Sequence, residues 1–239
     1  MKSKWQILRI FLLIGLAAFL FSFSNKRNQE RKLSSVQVGF TNPEHLYVAM
    51  GSIHNILTND ADTLDVKIHD VQLKDMEQKI LEHPMVADAE VFMTIDGVLS
   101  AEVTQRTPIG RCMYNDGAKY IDELGVFMPL SSNYSARVPL VYGVEDSLSV
   151  AEVMPLLLAI RKDEFMQQSV VTISHNNKGN VSLQVRQNNM EVMLGKTDNL
   201  EDKFRKLKGF IKYTKDENIL EDYKIINLQY EDQVVATKR

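Results

Sequence analysis

The stretch from Trp5 to Phe23 limits what this chain can become more than any other part of it. Between Ile10 and Phe23 nothing is charged, and only Gly15 and Ser22 interrupt the apolar run. At about 1.5 Å per residue in a helix, nineteen residues span roughly 28 Å, close to the hydrocarbon thickness of a bilayer. Lys2 and Lys4 precede the run, and Lys26, Arg27, Arg31 and Lys32 follow it. A cleaved signal peptide is the alternative reading, with Ser22-Phe23-Ser24 as the small-x-small triplet. The basic cluster directly behind that triplet would hinder export and cleavage, so an uncleaved single transmembrane helix is expected. Both flanks are basic, which leaves the positive-inside rule little to work with. Lys2, Lys4, Arg9 and the amino terminus favour a short cytoplasmic N-terminus with the long remainder outside.

Charge divides sharply behind this segment. Residues 1–32 carry seven Lys/Arg and one Glu, whereas residues 33–239 carry twenty-one Lys/Arg and thirty Asp/Glu. An acidic main body without a basic stripe argues against nucleic acid as a partner. The basic flanks suit anionic lipid headgroups instead. The single cysteine, Cys112, excludes an internal disulfide and is expected to be buried in a strand.

Residues 24–35 read as a polar linker. Val36-Gln37-Val38-Gly39-Phe40 alternates like a half-buried strand. Thr41-Asn42-Pro43 reads as a turn and helix start, ahead of a run from Leu46 to Leu57 at mostly helical spacing. Leu73, Met76, Ile80 and Leu81 mark one face of a second helix, which His83-Pro84 ends, with His83 expected to meet the last carbonyls. Val91-x-Met93-x-Ile95 and Leu99-x-Ala101-x-Val103 flank Asp96-Gly97, the pattern of a hairpin with a type I′ turn. The order over 36–105 is therefore strand, helix, helix, strand, strand.

Beyond Thr107 short strands dominate. They are expected over Arg111–Tyr114, Ala118–Ile121, Val126–Leu130, Val138–Val141, Val170–Ser174, Val181–Arg186 and Glu191–Leu194. Two helices start at capping-box spacings, Ser149/Glu152 and Asp198/Glu201, the second with Leu200, Phe204, Leu207 and Ile211 on one face. Ile226, Leu228 and Tyr230 then alternate with polar residues as a last strand. The fold class is α+β: a transmembrane helix, a small βααββ domain, and a mainly antiparallel β domain with flanking helices.

Chemistry-bearing patterns are absent. There is no G-x-S-x-G, S-x-x-K, H-E-x-x-H or G-x-x-x-x-G-K-[ST], and His45, His54, His69, His83 and His175 never fall three or four apart. Asp60/Asp62 and Asp122/Glu123 read as solvated pairs in polar surroundings.

Local motifs carry a resemblance. Gln105-Arg106-Thr107-Pro108-Ile109, Tyr120-Ile121-Asp122-Glu123-Leu124-Gly125, Met128-Pro129-Leu130-Ser131, Ser135-Ala136-Arg137-Val138-Pro139-Leu140-Val141 and Ile226-Asn227-Leu228-Gln229-Tyr230 occur in the order found in the FtsQ/DivIB family of bacterial division proteins, in a form similar to that of Bacteroidota. The βααββ part resembles a POTRA domain. The resemblance implies five parts: a cytoplasmic tail over 1–4, an anchor over 5–23, a linker over 24–35, a POTRA-like domain over 36–106 and an FtsQ-type β domain over 107–239. It implies a non-enzymatic inner-membrane scaffold of the divisome with a periplasmic body. The partners it implies are FtsB-like and FtsL-like single-pass division proteins; no cofactor, metal or small-molecule substrate is implied. In this family the last long strand takes up a partner strand, which maps onto Ile225–Val235 here. Ile226, Leu228, Gln229, Tyr230, Asp232, Gln233, Val234 and Val235 are the implied contacts, with Tyr230 foremost. Gln229 stands where arginine is common in the family. For Ser135–Val141 two readings stay open: Arg137 pairs with a carboxylate and locks the loop, or it meets a partner. The competing functions are another POTRA-bearing protein of secretion or outer-membrane assembly, and a membrane-anchored periplasmic enzyme.

Overall fold

In the computed structural model, residues 2–43, 46–58, 66–176 and 178–239 are described; His45, Asp60 and Asp62 lie outside them. The chain divides into two units, Met1–Gln105 and Arg106–Arg239.

The first unit begins with a helix, α1 (Lys2–Gln29). Its side chains are described from Leu12 to Arg27, and Leu12, Leu13, Phe19 and Phe21 are among its strongly exposed residues. Among the described residues no helix is long and apolar enough to cross a membrane, so the span expected over 5–23 is not found there. The expected linker over 24–35 is not a linker. Helix α1 runs through Gln29, and the chain from Arg31 is already part of the folded body: Arg31 O accepts from Ile68 N–H at 2.9 Å, Leu33 N–H donates to Val66 O at 3.0 Å, and the Leu33 side chain is buried. A buried leucine in an otherwise polar segment does the docking.

Strand β1 (Ser35–Phe40) is followed by α2 (Met50–Thr58), α3 (Leu73–Leu81), β2 (Val86–Met93) and β3 (Val98–Gln105). The sheet order is β1-β3-β2, with β1 parallel and β2 antiparallel to β3. Ile53 and Leu57 of α2, Ile80 of α3, and Leu99, Ala101 and Val103 of β3 are buried, as helical and alternating periods require. Helix α2 starts at Met50, four residues later than the run from Leu46 suggests; Gln105 Oε1 instead accepts from the N–H groups of Tyr47 and Val48, at 2.7 and 2.9 Å. His83 is an acceptor and not a donor to the helix end: its Nδ1 takes the Met85 N–H at 3.2 Å. Burial lowers the His83 pKa below 6.5, which suits a neutral acceptor; the stability this adds is lost as pH falls below that value.

The β2–β3 turn differs from the expected type. Only Gly97 has positive φ, at 83°, whereas a type I′ turn needs two such residues. Gly97 N–H donates to Thr94 O at 3.0 Å and Thr94 N–H to Val98 O at 2.9 Å, so the loop is one residue longer, a type I turn closed by a left-handed glycine. Ile95, expected on the strand, sits at the tip and is 89% exposed.

The second unit is built on β4 (Pro108–Tyr114), β5 (Gly117–Asp122), β6 (Phe127–Met128), β7 (Leu140–Tyr142), α4 (Ser147–Lys162), α5 (Glu164–Ser169), β8 (Val170–His175), β9 (Val181–Val185), β10 (Met190–Gly195), α6 (Leu200–Asp216), β11 (Tyr223–Asn227) and β12 (Val235–Lys238). One nine-stranded sheet runs β12-β11-β10-β9-β8-β7-β4-β5-β6. Five of its eight neighbouring pairs are antiparallel and join consecutive strands, as expected, and three are parallel, so the sheet is mixed. Helices α4 and α5 carry the chain from β7 to a parallel β8, and α6 carries it from β10 to a parallel β11.

Register shows why one face is core. Cys112, Val141, Ile173, Leu183, Val192 and Ile226 pair in succession across six strands, and each is at most 1% exposed. Val153, Leu156, Leu157 and Ile160 of α4 and Phe204, Leu207 and Ile211 of α6 share that core. The row one residue away, Arg111, Leu140, Thr172, Gln184, Glu191 and Ile225, faces the other side and is nowhere fully buried.

Both helix starts differ from the expected caps. Asp146 caps α4, accepting from Ser149 N–H at 2.8 Å, and this bond with that of the Ser149 side chain lowers the Asp146 pKa. Asn199 precedes α6 in the left-handed region without a side-chain cap. Asp198 instead holds the buried Lys203 ammonium at 2.6 Å, which also donates to Lys196 O at 2.7 Å. Cys112 is 1% exposed, and burial pushes its thiol up to about 11. A thiol so placed is expected to resist a maleimide at pH 8 in the folded protein and to react fully in 6–8 M urea, roughly the range that unfolds small domains. Rapid labelling without urea would show that the β4 region opens.

Candidate partner-binding edge

Strand β11 is parallel to β10, with Glu191 opposite Ile225 and Val192 opposite Ile226. The alternation from Ile226 suggests one long strand to Val235, but the strand ends at Asn227. Asn227 Oδ1 accepts from Gln229 N–H at 2.9 Å and turns the chain out of the ladder, while Leu228 N–H still reaches Met193 O at 2.9 Å. The chain then returns as β12, antiparallel to β11, pairing Asn227 with Val235, Ile226 with Ala236 and Ile225 with Thr237. The outer side of Ile225–Asn227 is therefore covered by the chain's own next strand. The end of the sheet is β12, and among the described residues nothing pairs with its outer side.

The residues implied as contacts separate accordingly. Ile226 and Leu228 are at 0% and 1% exposure, core side chains beneath the edge and not contacts upon it. Gln229, Glu231, Asp232 and Gln233 are exposed in the connecting loop, Tyr230 is 49% exposed there, and Val234 is half-buried against the core. Of the set only Val235, 41% exposed, stands on β12 itself. Ala236, Thr237 and Lys238 complete that strand. The signal for them in the sequence is weak: four residues with one large apolar side chain have no readable period.

The far end of β12 is tightly tied. Arg239 N–H donates to Asp222 O at 2.8 Å, and its guanidinium reaches both Asn188 O and Asn188 Oδ1 at 3.1 Å. Asn188, itself at φ 55°, donates to Leu220 O and Tyr223 O at 3.0 and 3.1 Å. The Lys238 ammonium lies 3.6 Å from Asp222 and 5.6 Å from the Tyr223 ring centre. In the connecting loop the Lys206 ammonium donates to Glu231 O. These contacts fix the register of β12 without burying it. The opposite end of the sheet, β6, is two residues long and runs into Met128-Pro129, which leaves little ladder to extend.

The loop over Ser135–Val141 is locked, but not by Arg137, which is exposed. Arg111 donates to Tyr120 OH at 2.6 Å and to Ser135 Oγ at 2.7 Å, and the same Tyr120 oxygen accepts from Ala136 N–H at 3.0 Å. The lock is Arg111 on β4 with Tyr120 on β5. Asp122, expected to be solvated, is buried: its carboxylate takes Arg106 at 2.8 Å and the N–H groups of Leu124 and Val126 at 2.9 and 2.8 Å. Among the described residues no three His, Cys, Asp or Glu come together to hold a metal ion.

A small βααββ domain followed by a sheet with one buried face and a terminal strand paired on one side only defines a two-domain class of fold. Comparison with protein families makes it specific. The model of the POTRA-like domain matches residues 35–104, and that described as FtsQ/DivIB, C-terminal related, matches residues 107–237, more than half of the chain. The chain belongs to the FtsQ/DivIB family. Both families are in general non-catalytic scaffolds. No curated protein matches the chain.

Proposed function

We propose that the chain is a membrane-anchored, non-enzymatic scaffold of the bacterial divisome that captures a strand from a partner along the outer side of β12. The observation that carries this reading is the single-sided pairing of β12. Its outward N–H and C=O groups offer a ladder to an extended segment, and Val235 on the strand and Tyr230 in the loop before it supply apolar area. The partners are FtsB-like and FtsL-like single-pass proteins. Helix α1 lies in the inner membrane with its N-terminus cytoplasmic and both units in the periplasm. Its support is the uncharged run Ile10–Phe23 and the exposure of Leu12, Leu13, Ile14, Leu16, Phe19 and Phe21 at 50–74%, which water penalises and lipid does not.

The test is co-purification of the full chain with an FtsB-like protein from the same cell. A chain ending at Gln233 is expected to lose the partner; its retention would place the contact elsewhere. Tyr230→Asp is expected to weaken capture about tenfold while the fold persists, because the ring is half exposed. Ile226→Asp, which buries a charge, is expected to cost more than about 3 kcal/mol of stability. If Tyr230→Asp collapses the circular dichroism spectrum as Ile226→Asp does, Tyr230 is core and not contact.

A further inference from the structure

We propose that the tip of the β2–β3 hairpin, with Ile95 at its apex, rests in the headgroup layer of an anionic membrane; this rests on the reading of α1 as the anchor.

The argument starts from the lack of slack. Helix α1 ends at Gln29, and Glu30 N–H still bonds Lys26 O at 3.2 Å. From Arg31 the chain is fastened at every residue: Arg31 O takes Ile68 N–H, Lys32 bridges Lys67, Leu33 N–H reaches Val66 O, and Ser34 N–H reaches Gly97 O at 2.9 Å. Only Glu30 separates the anchor helix from the folded body. The last fastening is to the hairpin itself, since Ser34 Oγ also donates to Asp96 O at 3.2 Å and the Arg31 guanidinium donates to Ile95 O. From Phe23, the last apolar residue, to Gln29 is six residues, about 9 Å of helix. The polar layer on each side of a bilayer is roughly 5–8 Å deep. The hairpin tip is thus tied, by an arginine, to a point just outside the hydrocarbon.

Its chemistry suits that place. Ile95 is 89% exposed, and no strand pairing or core explains a large apolar side chain there. Around the same fastening stand Lys26, Arg27, Arg31, Lys32 and Lys67, all exposed, against Glu30, Asp70 and Asp96. An apolar apex fastened by Arg31 to a segment with excess positive charge is the pattern of a surface that enters a headgroup layer and meets phosphate. Contact at two points, the anchor and the tip, fixes the tilt of the first unit on the membrane.

The test uses the full chain with Trp5→Phe, which removes its only tryptophan, and a new one placed by Ile95→Trp. It is reconstituted into phosphatidylcholine vesicles with or without a third of phosphatidylglycerol and a headgroup-linked nitroxide quencher. Fluorescence of the Ile95→Trp chain is expected to be quenched and blue-shifted, more so with the anionic lipid. Leu81→Trp, at the exposed C-terminal end of α3, is expected to show no quenching. Lys26→Gln with Lys67→Gln is expected to remove the gain from anionic lipid. If the chain floats with the vesicles and Ile95→Trp is quenched no more than Leu81→Trp, the tip is not at the membrane and the inference is wrong while the anchor stands. If the chain does not float, the anchor reading falls and takes the inference with it.

Discussion

Gly143→Ala is expected to cost the second unit more than about 4 kcal/mol, a large share of the roughly 5–15 kcal/mol that keeps a domain folded. Gly143 follows β7 at φ 78°, where an alanine is already strained by about 1 kcal/mol or more. The larger part is contact. A Cβ there would stand 2.0 Å from the backbone oxygen of His175 and 3.0 Å from its carbonyl carbon, and backbone cannot step aside as a side chain can. Relief requires parting β7 from β8, which pair in parallel through Tyr142 and Ser174. The His175 ring resists that movement, with Nδ1 3.1 Å from Gly143 O and Nε2 2.6 Å from Glu152 on α4. Urea unfolding followed by circular dichroism is the measurement. Gly209→Ala is the control: it lies within α6 with no atom near its would-be Cβ, and should stabilise by up to about 1 kcal/mol. A Gly143→Ala chain that unfolds at the native urea concentration would show the β7–β8 junction to be looser than described.

Proline at neighbouring positions of β12 is expected to abolish partner capture by two different routes. Along a strand, successive N–H groups point to opposite sides. Of Ala236 and Thr237, one donates toward β11 and the other outward. Proline removes the donor in either case. At the outward position the β11–β12 ladder is kept, the unit should melt as the native chain does, and only the partner's bond is lost. At the inward position β12 detaches from Ile225–Asn227, and both melting temperature and capture fall. Each substitution should weaken binding of the partner by more than about tenfold. A pair of proline chains that both bind normally would remove β12 from the proposal, whatever their stability.

Strong periods were readable in the chain and short-range polar geometry was not. Helix α3 and the apolar row of the second unit follow from side-chain spacing, because burial of one face rewards a fixed period over many residues. The caps were misread because Ser149 and Asp198 have the right chemistry at the wrong offset: Ser149 serves Asp146 from three residues inside the helix, and Asp198 is taken by Lys203. For Ser135–Val141 the sequence leaves open whether Arg137, inside the motif, locks the loop or meets a partner, whereas Arg111 makes the lock from a neighbouring strand that is distant in sequence. At the candidate edge, Ile226 and Leu228 alternate as strand residues do, yet the ladder stops between them because Asn227 bonds forward to Gln229. The parallel joins were hidden as well, since nothing local distinguishes a strand followed by a helix and an antiparallel return from one with a parallel crossover.

The place of β12 in chain order has a bearing on assembly. It follows every other strand of the sheet in chain order, and its only neighbour among the described residues, β11, itself requires β10 and the crossover through α6. Domains form from the amino terminus as the chain is made, so the first unit has its three strands before the second has its edge. A chain cut before Val235 would still carry the first unit but would lack the strand proposed to meet a partner. On the proposed reading, capture of a partner thereby depends on the second unit having closed its sheet as far as β12.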